Sequence, residues 1–143
     1  MKRYSSVRTL LLAILAFGLV GVEVELLFLG HDETPTQFVP LVLIGLGLGV
    51  VLWHMMAESS ASLTALRITM TLFIAAGLVG VALHYRGSVQ FQKELDPSIN
   101  GFALFMKAMQ SKAPPALAPG VMVYIGLLGL ACGFRLTNTG EKI

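Results

Sequence analysis

The sequence predicts an all-α membrane protein, a bundle of four transmembrane helices arranged as two parallel helical-hairpin repeats. The chain of 143 residues is 55% hydrophobic and only 13% charged, whereas soluble domains carry roughly 25% charged residues. Four long stretches contain almost no charge, and the string GLVGV occurs twice, at residues 18–22 and again at residues 77–81. The apolar stretches predict membrane spans, and the duplicated string predicts an internal repeat.

The four apolar stretches set the predicted spans at about residues 8–30, 38–57, 65–85 and 116–135, within one integral membrane domain covering residues 1–143. Each stretch is close to the roughly 20 residues that cross a hydrocarbon core of about 30 Å. A helix on the surface of a soluble core would show a polar face at the helical period, and these stretches do not.

The first span follows the basic residues Lys2, Arg3 and Arg8, and no small-residue cleavage site comes after its apolar run. We therefore expect a retained helix rather than a cleaved signal peptide. With the N-terminus inside, six Lys or Arg residues lie on the inner side, and four lie in one long outer loop. This bias predicts a bacterial cytoplasmic membrane protein with both termini inside.

The second span is expected to begin at Pro40, because the first turn of a helix tolerates proline. Within the span, Gly45 and Gly49 form a GxxxG spacing, which lets two helix backbones approach closely. This small-residue face indicates tight packing, either inside the bundle or against a partner protein.

The third span carries the second GLVGV string, and the same offset aligns Arg8 with Arg67 and Glu25 with His84. Each copy runs from an arginine through a glycine face to an ionisable residue. Parallel repeats of this kind place functional sites at the interface between the repeats. A duplication kept for packing alone explains the pattern equally well.

The fourth span is preceded by an outer loop at about residues 86–115, which is longer than ordinary connections and is therefore structured or functional. Ile99, Phe102 and Met109 recur in this loop at helical spacing. They predict a short amphipathic helix at about residues 98–111. It is expected to lie along the outer membrane surface or to cap the ends of the spans.

Glu25 and His84 are the strongest candidates in the sequence for a functional pair. Glu25 lies seven residues after Gly18, and His84 lies seven residues after Gly77, so each shares a helix face with its glycine. Glycine faces in membranes normally pack against other helices. We therefore expect both side chains to face the bundle interior at one depth and to pair. An ionisable pair inside a membrane indicates a proton or ion site, and a structural ion pair is the alternative.

His31 and Glu33, in the turn after the first span, extend this candidate site. Imidazole nitrogens and carboxylate oxygens bind divalent transition metals, so the predicted metal or proton site consists of Glu25, His31, Glu33 and His84. The spacing matches no known ligand motif, and a solvated turn is the alternative. A bis-histidine haem is disfavoured, because His54 and His84 are expected at opposite ends of the spans.

The composition narrows the classes of function. A net charge of +2 without a basic run argues against nucleic acid, and the single cysteine, Cys132, excludes an intramolecular disulfide. The GxSxG, Walker and GxGxxG motifs are missing from the sequence. The leading prediction is a non-enzymatic accessory or assembly subunit, whose partners are the lipid bilayer and a membrane protein or a second copy. A proton or metal-ion carrier and a membrane-embedded enzyme are the alternatives.

Overall fold

The computed structural model describes residues 2–30, 34–111 and 117–134. Within these ranges the chain forms helices and no strand, which confirms the all-α prediction. The five helices are α1 (Lys2–Phe28), α2 (Pro35–Ala57), α3 (Ser60–Leu95), α4 (Gly101–Met109) and α5 (Leu117–Cys132).

Three helical segments of the described chain are long and apolar enough to cross a membrane: Val7–Phe28, Pro35–Ala57 and Ser60–Leu95. These segments fit an integral membrane protein. Helix α5 is also apolar but has only 16 residues, fewer than the roughly 20 that span a hydrocarbon core. The predicted fourth span, at about residues 116–135, extends past the described residues at both ends.

Helix α2 begins earlier than expected, at Pro35 rather than at Pro40. Pro35 occupies the first turn, where a backbone N–H has no partner inside the helix and proline is tolerated. The backbone N–H of Thr34 donates to the side-chain oxygen of Gln37 at 2.7 Å, which fixes the entry of the chain. Pro40 lies inside the helix and removes one hydrogen bond from it.

A tight turn joins α2 to α3. Glu58 ends α2 in the left-handed conformation (φ 44°) and donates its backbone N–H to the carbonyl of His54 at 3.1 Å. Ser59 caps α3, and its side chain accepts the backbone N–H of Ser62 at 3.1 Å. The turn therefore brings the last turn of α2 against the first turn of α3.

Helix α3 has 36 residues, a length of about 54 Å at 1.5 Å per residue. It continues to Leu95, so residues 86–95, expected in a loop, are helical. The amphipathic helix predicted nearby is present as α4, which buries Leu104 and Ala108. Helix α4 packs on α3, where the rings of Tyr85 and Phe105 lie 6.0 Å apart.

Helices α1, α2, α3 and α5 surround one core. Helix α1 packs on α2 and α5, and α3 packs on α2, α4 and α5, whereas no Cα atoms of the described parts of α1 and α3 lie within 8 Å of each other. The fully buried side chains of this core include Leu15, Leu19, Ile44, Met70 and Phe73.

The two ends of the bundle are named after residues of α1. The Arg8 end is the end at which α1 and α3 begin, and the Glu25 end is the end at which α1 finishes.

The two GLVGV strings pack differently. A Cβ atom on Gly77 would lie 2.7 Å from Val123 Cγ2, and one on Gly126 would lie 2.7 Å from the carbonyl oxygen of Met70. Close packing of α3 on α5 therefore requires glycine at both positions. A Cβ atom on Gly18 or Gly21 would meet nothing within 4 Å. The strings match in sequence but not in packing.

Candidate functional site

Glu25 and His84 do not form the inward-facing pair that the sequence predicts. Both side chains are exposed, and no Cα atoms of the helices that carry them, α1 and α3, lie within 8 Å of each other. The expectation that both residues face the bundle interior is therefore wrong.

The reason lies in the direction of the two glycine faces. On α1, the face with Gly21 and Glu25 turns away from the neighbouring helices, and Gly21 is exposed. On α3, the corresponding face packs against α5, and a Cβ atom on Gly80 would lie 2.8 Å from Pro119 Cβ. His84 is one turn beyond Gly80, near the start of α5. The helical period groups residues on a face but does not set where that face points.

The metal or proton site at Glu25, His31, Glu33 and His84 stays a prediction. His31 and Glu33 lie outside the described residues. Within residues 2–30, 34–111 and 117–134, no group of three or more His, Cys, Asp or Glu side chains could hold a metal ion.

Glu23, and not Glu25, is the partly buried carboxylate of α1. It lies four residues after Leu19 and three before Leu26, both of which are buried in the core. Its Oε2 atom is buried and has no hydrogen-bond partner among the described residues. A buried carboxylate oxygen without a donor is costly.

A second polar group is buried at the Arg8 end. The side-chain Nη2 of Arg8 donates to Nε2 of His54, and Nδ1 of His54 lies 2.8 Å from Oγ of Ser62. His54 is 1% exposed and Ser62 is fully buried. We call Arg8, His54, Ser59 and Ser62 the Arg8 cluster.

The His54 ring has a partner on each side. Nε2 lies against the Arg8 guanidinium, which can only donate hydrogen bonds. Nδ1 lies 2.8 Å from Ser62 Oγ, and this hydroxyl donates to the backbone carbonyl of Ser59 at 3.0 Å. The orientation of the ring is therefore fixed from both sides.

The positive charge of Arg8 is not balanced by a carboxylate of the described chain. Its hydrogen-bond partner is the imidazole of His54, and its Nε atom is buried without an acceptor among the described residues. At the same end of the bundle, Arg67 donates to the carbonyl of Gly133, just past the end of α5, at 3.0 Å.

The sequence contained a signal for His54 that the spacing argument about Glu25 overlooked. His54 follows Ile44 by ten residues and Val51 by three, which places all three on one helix face. All three are buried. A histidine in register with the core positions of an apolar helix predicts a buried imidazole, although it does not identify the partner.

The two ends of the helices therefore differ in chemistry. The Arg8 end presents cationic donors beside the buried His54, and the Glu25 end presents the carboxylates Glu23 and Glu25. No protein-family model, curated protein or solved structure matches the chain.

Proposed function

We propose that this chain is a non-enzymatic integral membrane protein with four spans, which acts as an accessory or assembly subunit by packing against a transmembrane helix of a partner protein. The observation that carries the proposal is a set of open glycines on the first two helices. A Cβ atom would meet nothing within 4 Å at Gly18, Gly21, Gly45 or Gly49.

The contrast with glycines on α3 and α5 supports this proposal. A Cβ atom on Gly77 of α3 would clash with Val123, and one on Gly126 of α5 would clash with the backbone of Met70. Small residues in membrane helices are typical of helix–helix interfaces. Gly77 and Gly126 serve packing within the chain, as does Gly47 of α2, whose Cβ atom would lie 2.9 Å from the Phe73 ring. The other glycines of α1 and α2 within the two spans are open to a helix from another chain.

Glu25 defines the chemistry of the partner. It lies on the same face of α1 as Gly18 and Gly21, and it is exposed on a surface that also exposes Phe17 and Phe28. A carboxylate next to lipid is unfavourable unless it pairs. The partner helix should therefore carry a Lys or Arg at the depth of Glu25 and small residues one to two turns away.

The proposed topology places the Arg8 end on the inner side of a bacterial cytoplasmic membrane, with both termini inside. The Lys and Arg bias supports this orientation. Helix α5 is proposed as the core of the fourth span because it is apolar and packs closely on α3. The duplicated GLVGV string supports a hairpin duplication whose two copies have since packed differently.

Cysteine crosslinking in native membranes tests the proposal. A cysteine introduced by Gly21→Cys or Gly45→Cys should crosslink to a discrete partner protein. The matched control is Ala75→Cys, an exposed small residue on α3, which should not. A further change, Glu25→Lys, should weaken the Gly21→Cys crosslink by about tenfold, because it replaces attraction by repulsion of about 1.4 kcal/mol or more. Equal crosslinks from residues 21, 45 and 75 would refute the proposal.

A second candidate function is binding of a proton or a metal ion at the Glu25 end. The buried Oε2 atom of Glu23 favours it, and the ligands would be Glu25, His31, Glu33 and His84. Metal analysis and an absorbance spectrum of the protein purified in mild detergent test it. Stoichiometric metal that disappears in His84→Ala would support the ion site, and a metal-free protein would exclude a resident metal.

A further inference from the structure

Helix α4 has two apolar faces, of which one packs on α3 and the other is largely open. Leu104 and Ala108 are buried, whereas Phe102 is 75% exposed and Phe105 is 43% exposed. The rings of Phe102 and Phe105 stack with their centroids 6.2 Å apart. From the position of this aromatic face we propose that α4 is an interfacial membrane anchor, whose Phe102 and Phe105 rings insert into the lipid at the Glu25 end of the bundle.

The depth of α4 follows from its contact with α3. The stretch of α3 between Arg67 and Arg86 contains no Asp, Glu, Lys or Arg. This stretch is about 27 Å long at 1.5 Å per residue, close to the roughly 30 Å of a hydrocarbon core. Tyr85 is its last residue, and the Tyr85 ring lies 6.0 Å from the ring of Phe105. Helix α4 is therefore docked where the apolar part of α3 ends, which is the depth of the membrane interface.

The aromatic face of α4 continues an exposed apolar surface of α3. Leu78 lies seven residues before Tyr85 and therefore on the same side of the helix. Its side chain is 59% exposed near the middle of the apolar stretch, where the surroundings of an unpacked side chain are lipid. The apolar surface therefore runs from Leu78 through Tyr85 to the two phenylalanine rings of α4.

The charge of α4 also suits the surface of a bilayer. The helix contains one basic residue, Lys107, and no acidic residue. Lys107 is exposed, and a lysine can keep its ammonium group among lipid headgroups while its stem lies along apolar surface. Phenylalanine and lysine side chains on one amphipathic helix are typical of helices that lie in the plane of the interface. These features favour a lipid surface over a protein as the occupant of the aromatic face.

Two sets of side chains on α4 have separate roles in this proposal. Leu104 and Ala108 hold α4 on α3, and the two phenylalanines contact lipid. A change at Phe102 should therefore alter the contact with lipid while α4 stays folded on α3. The proposal rests on the membrane placement of α3, and it is independent of the partner helix proposed for α1 and α2.

Fluorescence quenching by brominated lipid tests the anchor in the full chain. Trp53 is the only tryptophan, so Trp53→Phe gives a background in which one new tryptophan reports its own surroundings. In vesicles of phosphatidylcholine brominated on its acyl chains, Phe102→Trp and Phe105→Trp should be quenched about as strongly as Leu78→Trp, the control within the span. The matched exposed control is Leu95→Trp, which lies about 15 Å beyond the apolar stretch and should be quenched several-fold less.

The outcomes separate the anchor from the membrane placement on which it rests. The Phe102→Trp variant decides the test, because Phe102 is the more exposed of the two rings. Quenching at residue 102 that matches residue 78 and exceeds residue 95 would support the anchor. Strong quenching at residue 78 with weak quenching at residue 102 would overturn it and assign the aromatic face to a protein partner. Weak quenching at residue 78 would overturn the membrane placement of α3 together with the anchor, and equal quenching at residues 95 and 102 would overturn the anchor alone.

Discussion

Nδ1 of His54 lies 2.8 Å from Oγ of Ser62, across the turn that joins α2 to α3. The contact depends on the local sequence, because Glu58 adopts a left-handed conformation and Ser59 caps the next helix. It also depends on a distant helix, because Arg8 of α1 binds the opposite side of the same ring. One buried imidazole therefore ties together the first three helices.

Removing the Ser62 hydroxyl should destabilise the protein. Ser62→Ala deletes the buried hydrogen bond between this hydroxyl and Nδ1 of His54, and the loss of a buried hydrogen bond of this kind costs about 1–3 kcal/mol. The free energy of unfolding in mild detergent measures this loss. Ser60→Ala is the matched control, since Ser60 is exposed two residues earlier on the same helix and should change stability little. Similar losses for both variants would contradict the role assigned to Ser62.

The two GLVGV strings should respond differently to the same substitution. In Gly77→Ala the new Cβ atom would lie 2.7 Å from Val123 Cγ2 and 2.8 Å from the backbone oxygen of Pro119. Such overpacking costs about 1–3 kcal/mol. Gly18→Ala, at the equivalent place in the first string, meets nothing within 4 Å and should leave stability unchanged or slightly higher. Unfolding in detergent compares the two variants directly, and equal effects would show that packing is symmetric after all.

Asp96 should make the turn between α3 and α4 sensitive to acid. Hydrogen bonds from the Ser98 side chain and then from its backbone N–H hold the pKa of Asp96 below 3.8. Because the folded pKa is lowered, the stabilisation is complete above pH 3.8 and is lost as the pH falls through the folded value. The stability difference between wild type and Asp96→Ala should therefore be larger at about pH 7 than at about pH 2.5.

Thermal unfolding at the two pH values checks the Asp96 prediction. Ser98→Ala serves as the companion variant, since it removes the 2.6 Å hydroxyl bond to Asp96 and should reduce the same pH dependence. A stability difference between wild type and Asp96→Ala that became larger at acid pH would contradict the prediction.

Helix α4 should be held to α3 mainly by its buried face. Leu104 is 9% exposed, whereas Phe102 is 75% exposed. Leu104→Ala should weaken the docking of α4 by about 2 kcal/mol or more and increase hydrogen exchange in residues 101–109. Protection in α1 and α2 should persist, since α4 packs on neither. Phe102→Ala is the control and should leave exchange near wild type.

The candidate site at the Glu25 end shows the limit of reasoning from helical spacing. The spacing correctly grouped Glu25 with Gly18 and Gly21, and His84 with Gly77 and Gly80. It could not establish that the first face turns away from the other helices while the second meets α5. Because of this, the partly buried carboxylate of α1 is Glu23, two residues from the predicted one.

The sequence by itself determined the elements: helices as the secondary structure of the described residues, long apolar helices and the short helix α4. These follow from hydrophobicity, the helical period and local hydrogen bonding, which act over a few residues. Only the tertiary structure decided that Arg8 meets His54, 46 positions away, and that Gly77 packs where Gly18 does not. The physical reason is that a helix presents several faces to its surroundings, and its neighbours decide which of them are buried.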